Sequence, residues 1–358
     1  MTRALRRLHQ LIEDQIAARA FPSAVLLAAL DGEPLIHQAY GKARLDSAFD
    51  LASLTKPLAT TAAMMLLDAE GLLSPQTRLR ELLPSLRTKE VGETPLSALL
   101  SHSSGLPAWQ PYYERAATLG FKAAKQAVRR WAASESLVYE PGSRSLYSDL
   151  GFILLDWALE RAVGKRLDRL LAQRLTKPLG LERMTFVDLE SSQDARPRQP
   201  FVPTERCPRR GRLLGEVHDD NTHAMGGISG HAGLFGSAFD VHLLTRELVA
   251  AYEGRRSIFS REVVRRYWRA RPVRGGSWAL GWDRPSGARP SGGGAFGPAS
   301  VGHLGFTGTS LWIDPAARYW VIFLTNRVYG GREPNPMKVL RPRLHDTVAR
   351  AVASLAVG

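Results

Sequence analysis

The sequence lacks the features that mark exported and membrane-spanning proteins. Cys207 is its only cysteine, so no internal disulfide can form. The apolar run over residues 24–30 is far too short to cross a bilayer, and residues 1–20 lack the continuous apolar core and cleavage site of a secretory signal. We therefore expect a cytoplasmic protein with no membrane insertion.

Negative charge is also scarce relative to positive charge. The formal net charge is +14 and the isoelectric point is about 10.3, a balance that suits nucleic acids, anionic membranes or acidic substrates. However, arginines occur along the whole chain, and their densest cluster, residues 196–212, is rich in proline and has no regular period. No helix-turn-helix, paired-cysteine zinc site or aromatic ribonucleoprotein motif is present. We expect a solvated surface loop at this cluster and no nucleic-acid partner.

Apolar periodicity predicts helices and strands in a definite order. A helix with Leu5, Leu8, Ile12 and Ile16 on one face precedes a hairpin that turns at residues 31–34. Helices are predicted over 54–69, 123–133, 150–163 and 238–253. They are followed by a strand over 277–283, a flexible loop over 284–300, two strands within 309–327, and a final helix with Leu340, Leu344, Val348, Val352 and Leu355 on one face.

This order predicts a two-lobed α+β protein. A chain of 358 residues exceeds the size at which one hydrophobic core usually divides, about 250–300 residues. We expect an antiparallel sheet flanked by the N- and C-terminal helices, built from residues 1–50 together with 275–358. Residues 51–274 would form an inserted, mainly helical domain, and a functional cleft can lie between the two.

The first candidate for chemistry is Ser53, which stands three residues before Lys56 at the start of an apolar helical stretch. Serine is a common helix N-cap, so the pair alone fits a capping role as well as a catalytic one. At positions i and i+3 the two side chains share one face of the helix start, where the lysine amine can reach the hydroxyl. The helix N-terminus would help to lower the pKa of this lysine toward that of a useful base.

Two more stretches place polar side chains at the edge of a helix or strand. Tyr147, Ser148 and Asp149 directly precede a predicted helix, which Asp149 could simply cap. His303 and Gly305 belong to a glycine-rich edge before a strand, where a tight turn with an incidental histidine is the structural alternative. Each motif alone is more often structural than catalytic. The three together, in this order and spacing, favour a catalytic site.

The three motifs resemble those of the serine β-lactamase and penicillin-binding superfamily, which read S-x-x-K, then Y-x-N or S-x-N, then K-T-G or H-x-G. The chain is most similar to the branch that contains class C β-lactamases, family VIII carboxylesterases, D-aminopeptidases and DD-peptidases. The similarity extends to residues 99–107, 175–186, 215–236 and 322–329, and thus to nearly the whole chain. It implies a β-lactamase-like fold.

The resemblance also implies a role for individual residues. Ser53 would be the acylated nucleophile, Lys56 its proton acceptor, and Tyr147 a group that passes protons to the leaving group and from water. The backbone N–H groups of Ser53 and Phe306 would form the oxyanion hole. Gly305 would let a substrate approach the strand edge closely. No cofactor and no metal are expected.

Two departures from the family pattern bear on the chemistry. Asp149 stands where an amide is usual, so its charge would favour the protonated lysine and shift base catalysis toward Tyr147. His303, Leu304 and Gly305 replace Lys-Thr-Gly, which removes a cation and a hydroxyl that hold the carboxylates of β-lactams and D-Ala peptides. Recognition of such carboxylates should be weaker, unless Arg327 or Arg332 supplies the charge.

Other polar residues offer rival sites that we consider weaker. A metal site would draw on His218, Asp219, Asp220, His223 and His231, but their spacing matches no tight zinc signature, and hydrogen-bonded scaffold near the cleft is the better interpretation. An α/β-hydrolase triad is excluded because the chain has no G-x-S-x-G elbow. His102 is expected to be structural, and Cys207 to have no catalytic role.

These observations predict a serine hydrolase that works through an acyl-enzyme on Ser53, with a small ester or amide as substrate. A β-lactamase or DD-peptidase is the alternative within the same chemistry. The departures at Asp149 and His303 also allow a penicillin-fold protein that binds a ligand or is trapped as an acyl adduct without turnover. The sequence leaves the oligomeric state open.

Overall fold

Strands lie mainly near the two ends of the chain and helices mainly in its middle in the computed structural model, which describes residues 2–192 and 197–356. In chain order they are α1 (Arg3–Ala17), β1 (Ser23–Leu30), β2 (Glu33–Gly41), β3 (Phe49–Asp50), α2 (Ala62–Ala69), α3 (Leu79–Leu82), α4 (Leu96–Leu100), α5 (Tyr112–Arg115), α6 (Phe121–Ala132), α7 (Asp149–Val163), α8 (Leu167–Leu171), β4 (Thr185–Phe186), β5 (Arg206–Cys207), β6 (Gly211–Arg212), α9 (Asp220–Ala224), β7 (Leu234–Gly236), α10 (Ala238–Glu253), α11 (Arg261–Arg269), β8 (Val301–Leu304), β9 (Ser310–Asp314), β10 (Tyr319–Thr325) and α12 (Met337–Ala356).

The main sheet joins strands from both ends of the chain. Its order is β2-β1-β10-β9-β8, and every neighbouring pair is antiparallel. Strand β1 pairs with β10 from Ala24 opposite Thr325 to Leu30 opposite Tyr319. The predicted α+β architecture, with an antiparallel sheet built from both ends of the chain, is confirmed. The domain limits at residues 50 and 275 stay a prediction.

The two faces of the sheet pack against different helices. Because side chains alternate along a strand, Leu26 of β1 joins Leu8 and Ile12 of α1 in one apolar cluster, which also contains residues of α12. Its neighbour Leu27 points to the other face and belongs to the large core shared with the middle helices, including Leu150 of α7. The sheet is therefore covered by the terminal helices on one face and by the inserted helices on the other.

The helix predicted over residues 54–69 consists of three parts. A 3₁₀ turn over Ala52–Leu54 is followed by a π-helical segment over Lys56–Thr61 and then by α2. π-Helical segments are rare and frequently occur at functional sites. The change in pitch therefore lies at the first of the three motifs.

Helix α7 is capped by Ser148 and not by Asp149. The Ser148 hydroxyl accepts a hydrogen bond from the Gly151 N–H at 3.3 Å, and the helix ends at Gly164 in the left-handed conformation with φ of 67°. Since Ser148 fills the cap position, the carboxylate of Asp149 is available for other contacts.

The prediction of a strand over residues 277–283 is wrong. The structure has only a single bridge there, between Asp283 and Gly302. Gly281 interrupts the extended backbone with φ of +79° and donates its N–H to the Leu100 carbonyl. A Cβ at this glycine would lie 2.0 Å from Oγ1 of Thr61. The segment therefore packs on the inserted helices instead of extending the sheet.

The solvated loop predicted over residues 196–212 is only partly confirmed, and Arg196 lies outside the described residues. Strands β5 and β6 form a small hairpin here, with Arg206 and Arg212 exposed. Glu205 and Cys207 are buried. The carboxylate of Glu205 contacts the side chains of Arg332 and His218.

The described residues contain no helix that is both long and apolar enough to cross a membrane.

Candidate active site

Ser53 lies in a turn whose backbone is held by a buried carboxylate. Ala52, directly before it, has φ of +48°, an uncommon conformation for a residue with a side chain. The Ala52 N–H donates to Oδ1 of Asp50 at 2.8 Å, and Oδ2 of Asp50 accepts from the His218 N–H at 2.7 Å. Asp50 thus fixes the turn that presents Ser53, and burial raises the pKa of this carboxyl.

Lys56 is fully buried and its ammonium has three partners. Nζ lies 3.0 Å from Oγ of Ser53, 3.0 Å from the backbone oxygen of His231 and 2.7 Å from Oδ1 of Asp149. Burial alone would lower the pKa of Lys56, but the charges of Asp149 and of Tyr147 outweigh burial and raise this pKa. Lys56 is therefore an ammonium at neutral pH, and the expected lowering of its pKa is not observed.

Tyr147 completes the cluster around Ser53. The Lys56 Nζ is 4.8 Å from the centre of the Tyr147 ring, and both Lys56 and Ser53 are close enough to favour the deprotonated phenol. Burial raises the pKa of Tyr147, while Lys56 opposes this shift. The ring contacts His102, at 4.4 Å between centroids, and Trp278, at 5.4 Å, and these two rings also contact each other, so the position of Tyr147 is well defined.

A tight turn after β8 brings the third motif to the nucleophile. The Thr307 hydroxyl donates to the Asp50 carbonyl at 2.8 Å, and the Thr309 hydroxyl donates to the Leu51 carbonyl at 3.1 Å. These bonds attach the turn to the segment just before Ser53. In the described part of the chain the Phe306 N–H donates no hydrogen bond, and such an N–H can bind a ligand oxygen.

Gly305 is required for packing within the protein itself. A Cβ at this position would lie 2.0 Å from Oγ1 of Thr309 and 2.7 Å from the carbonyl oxygen of Leu51. The sequence suggested that the glycine lets a substrate approach closely. The structure gives a different reason, because the neighbouring atoms belong to the segment before the nucleophile.

His303 does not replace the cation of the usual third motif. Burial, and secondarily the charge of Lys56, lowers its pKa to about 3. Nδ1 lies 2.8 Å from the carbonyl oxygen of Leu304, which assigns the proton to Nδ1. His303 is therefore neutral at physiological pH, and Leu304 beside it lines the cavity.

Ser53 opens into a cavity of about 640 Å³. Its walls contain the aromatic side chains of Trp109, Tyr147, Trp278 and Phe306 and the basic side chains of Arg332, Lys338 and Arg341. The size and mixed lining suit a small organic ligand.

The three basic residues differ in how they are held. Arg332 forms a two-point ion pair with Glu205 at 2.9 and 3.1 Å. Arg341 is buried and donates to the carbonyls of Gly305 and Thr309, so it supports the turn after β8. Lys338 is exposed and has no carboxylate partner within the described ranges.

Arg327, the other residue considered for charge replacement, lies behind Phe306. Its Nε donates to the Phe306 carbonyl at 2.9 Å, and its guanidinium stacks 4.7 Å from the centre of the Phe306 ring. Arg327 therefore positions the Phe306 turn and is not among the residues that line the cavity.

Each histidine and aspartate of residues 215–236 contacts a side chain of the opposite type, acidic or basic. The pairs are His218 with Glu205 at 2.9 Å, His223 with Glu216 at 3.2 Å, His231 with Asp219 at 2.9 Å, and Asp220 with Arg209 at 2.6 Å. Across residues 2–192 and 197–356, no group of three such side chains is arranged to hold a metal ion. The segment instead supplies the His231 carbonyl that contacts Lys56.

His102 has a structural contact, as expected from the sequence. Its Nδ1 accepts the Ser148 N–H at 3.1 Å, and burial lowers its pKa well below the usual range. This neutral ring supports both Tyr147 and the start of α7.

Sequence reasoning missed the contributions of Asp50, Trp278, Lys338 and Arg341. Lys338 and Arg341 share one side of α12 at i and i+3, which is a signal that two cations reach the same place. No sequence pattern indicates a role for Asp50, because that role depends on the positive φ of Ala52.

Comparisons with known proteins show relatives over nearly the whole chain. The Beta-lactamase family model matches residues 8–342. An N-acetylmuramyl-L-alanine amidase of Bacillus subtilis strain 168 is 32% identical, over 91% of this chain and 81% of that protein. An Escherichia coli K12 protein provisionally named D-alanyl-D-alanine carboxypeptidase is 30% identical, over 90% of this chain and 82% of its own. Among solved structures, EstCE1, a hydrolase with promiscuous acyltransferase activity, matches 95% of this chain and 98% of its own, with a TM-score of 0.71 and 21% identity.

Proposed function

The chain belongs to the β-lactamase family and is a serine hydrolase of that superfamily, and from this premise we propose that it hydrolyses small esters or amides through an acyl-enzyme on Ser53. The observation that carries the proposal is the arrangement at Ser53, whose Oγ lies 3.0 Å from Nζ of Lys56 at the wall of the cavity.

The proposed acylation step starts from the minor form of the protein in which the Tyr147 phenol is deprotonated, since its pKa is raised above the usual value of 10.0. Ser53 Oγ attacks the carbonyl carbon, and its proton passes to the phenolate oxygen of Tyr147. The Lys56 ammonium stabilises the deprotonated phenol, because its charge lowers the pKa of Tyr147 against the effect of burial. Tyr147 then donates the proton to the leaving group. In deacylation it takes a proton from water and returns it to Ser53.

The negative charge on the carbonyl oxygen would be bound by the backbone N–H groups of Ser53 and Phe306. The bonds from Thr307 and Thr309 to the Asp50 and Leu51 carbonyls keep the two segments together before substrate arrives. Such preorganisation lowers the cost of reorienting donors as charge develops.

The choice of an ester or small amide rests on the third motif. His303 is neutral at physiological pH, and Leu304 has no hydroxyl, so neither provides the usual clamp for a substrate carboxylate. A substrate that has no carboxylate at this place loses no binding energy when the cation and the hydroxyl of the usual motif are missing. Acyl preference would then depend on the aromatic walls of the cavity.

The direct test is hydrolysis of short-chain 4-nitrophenyl esters by the wild-type protein and by Ser53→Ala. We expect turnover only by the wild type, and equal rates would refute the proposal. Mass spectrometry after incubation with substrate distinguishes an enzyme from an acyl trap, since a transient adduct on Ser53 indicates turnover and a permanent adduct indicates a trap. A protein without any adduct would be a binding protein only.

A β-lactamase or DD-peptidase is the second candidate. Lys338 favours it, because this exposed cation lines the cavity without a carboxylate partner among the described side chains. Two relatives that are at least 30% identical also bear the names of an amidase and a carboxypeptidase. A chromogenic cephalosporin and a D-Ala-D-Ala peptide, assayed beside the esters, decide between the candidates.

Cytoplasmic location and the lack of a nucleic-acid partner stay predictions from the sequence.

A further inference from the structure

Asp283 lines the same cavity as Ser53 but differs from the other carboxylates there. The others are each paired with a basic side chain: Asp149 with Lys56 at 2.7 Å, Asp219 with His231 at 2.9 Å and Asp220 with Arg209 at 2.6 Å. Among residues 2–192 and 197–356, no basic side chain lies within ion-pair distance of Asp283, and the side chain that opposes the effect of burial on its pKa is the neutral Ser277.

The backbone of Asp283 is fixed next to the third motif. Its N–H donates to the Gly302 carbonyl at 2.8 Å, and its carbonyl accepts the Gly302 N–H at 2.9 Å. This bridge lies one residue before His303, on the outer side of β8. The side chain is therefore anchored at the open edge of the sheet, within the cavity that contains the nucleophile.

The negative charge of the Asp283 carboxylate has no basic side chain to balance it among the described residues. Its Oδ1 is shielded from solvent and has no hydrogen-bond partner in the described structure. Burial raises its pKa to about 6, so the group is mostly charged at neutral pH and above. A half-buried carboxylate with no cation beside it is unfavourable, and a cationic ligand would offset that cost.

Trp278 provides an aromatic surface in the same cavity. Its ring lies 5.4 Å from His303 and 5.4 Å from Tyr147, between centroids, so it stands beside the reacting groups. Indole is the best aromatic partner for a cation in proteins. A carboxylate and an indole in one cavity are a suitable combination for an ammonium group.

We propose that Asp283 and Trp278 form a subsite that binds an ammonium group of the substrate. This inference rests on the proposed function and narrows it, since the ester or amide would carry a primary amine on its acyl or leaving part. Asp283 would thus determine specificity and would take no part in the chemical step.

The test uses simple inhibitors of ester hydrolysis. Butylammonium and 1-butanol have the same chain length and differ in charge, and the amine is fully protonated at about pH 8. We expect butylammonium to inhibit 4-nitrophenyl acetate hydrolysis with an inhibition constant about tenfold lower than that of butanol. In Asp283→Asn, which preserves side-chain shape, this preference should disappear while inhibition by butanol stays the same.

Asp220→Asn is the matched control, since Asp220 lines the same cavity but is already paired with arginines. It should retain the preference for the ammonium ion. Equal inhibition by the two compounds in the wild type would overturn the inference even if Asp283→Asn failed to fold. So would a preference that survives in a folded Asp283→Asn protein.

The subsite and the proposed function can fail separately. Butylammonium binding to the Ser53→Ala protein, measured by calorimetry against butanol, requires no turnover. Binding that depends on Asp283 while Ser53→Ala still hydrolyses esters would overturn only the role of Ser53. Loss of hydrolysis in Ser53→Ala without any ammonium preference would overturn only the subsite.

Discussion

Nζ of Lys56 lies 2.7 Å from Oδ1 of Asp149, closer than it lies to the hydroxyl of Ser53. The family pattern has an amide at this position, so the pair places a negative charge beside the lysine that an amide would not supply. The result is a lysine whose pKa is raised although it is fully buried.

Replacing Asp149 with Asn should shift the pH dependence of catalysis to lower pH. The Asp149 charge raises the pKa values of both Lys56 and Tyr147, so its removal lowers both. Whether Lys56 or Tyr147 accepts the proton, the rising limb of the plot of kcat/KM against pH should shift to lower pH by roughly one pH unit or more. Asp168→Asn, far from this site and paired with Arg166, serves as control. An unchanged or upward-shifted limb would mean that the charge of Asp149 does not act on the group that accepts the proton.

Gly305→Ala should damage catalysis more than binding. The added Cβ meets Thr309 Oγ1 and the Leu51 carbonyl, so the turn that carries the Phe306 N–H must move. Loss of one oxyanion-hole donor typically reduces kcat by about a hundredfold. Gly120→Ala is the comparison, because a Cβ there meets nothing within 4 Å. Near-normal kcat in Gly305→Ala would show that Phe306 does not bind the oxyanion.

Lys338→Met should weaken inhibition by carboxylates while neutral esters are hydrolysed as before. N-acetyl-D-alanine and its amide, compared as inhibitors, report on the charge alone. We expect the carboxylate to lose about tenfold in affinity and the amide to lose little. Lys122→Met removes an exposed lysine of α6 and should change neither constant. If Lys338→Met leaves both constants unchanged, the second candidate function loses its structural support.

Glu205→Gln should destabilise the protein more at neutral than at acidic pH. Burial works against the charge of Glu205, but His218 and Arg332 outweigh it and lower its pKa from 4.5 to about 2. A folded-state pKa below the unfolded value contributes stability above the unfolded pKa, and this contribution is lost as pH falls toward the folded pKa. Urea unfolding at about pH 7 and about pH 3 should therefore give a larger difference between wild type and variant at the higher pH. A constant difference would mean that the charge of Glu205 does not matter.

Local sequence patterns predicted those parts of the site that lie close together in the chain. Ser53 and Lys56 are three residues apart, so their contact follows from helix geometry alone. The strands β1, β2, β9 and β10 were predictable because apolar segments on either side of turn residues mark them, whereas the order of the strands comes from the structure. The fold class, read from both ends of the chain, is confirmed for the same reason.

The remaining contacts depend on how distant segments pack. His231 contacts Lys56 across 175 residues, and Arg341 reaches the Gly305 carbonyl from α12. The segment around Trp278 looked like a strand because it is a short, mostly apolar run before a glycine- and proline-rich loop, but packing of Gly281 on Thr61 outweighs that preference. Neither effect has a signature in a short window of sequence.

The partner that holds Lys56 opposite Asp149 is a main-chain oxygen, that of His231. No side-chain substitution can delete a main-chain oxygen, so a saturation scan would score residue 231 for its ring and would not register its carbonyl. The effect of disturbing this carbonyl would appear at two neighbouring positions. Thr60 donates a hydrogen bond to the Gly230 carbonyl, and a Cβ at Gly230 would lie 2.4 Å from the Phe152 carbonyl oxygen. Mutational tolerance maps of this protein should therefore record the loss of this contact at Thr60 and Gly230, while intolerance at residue 231 reports on the buried ring that contacts Asp219.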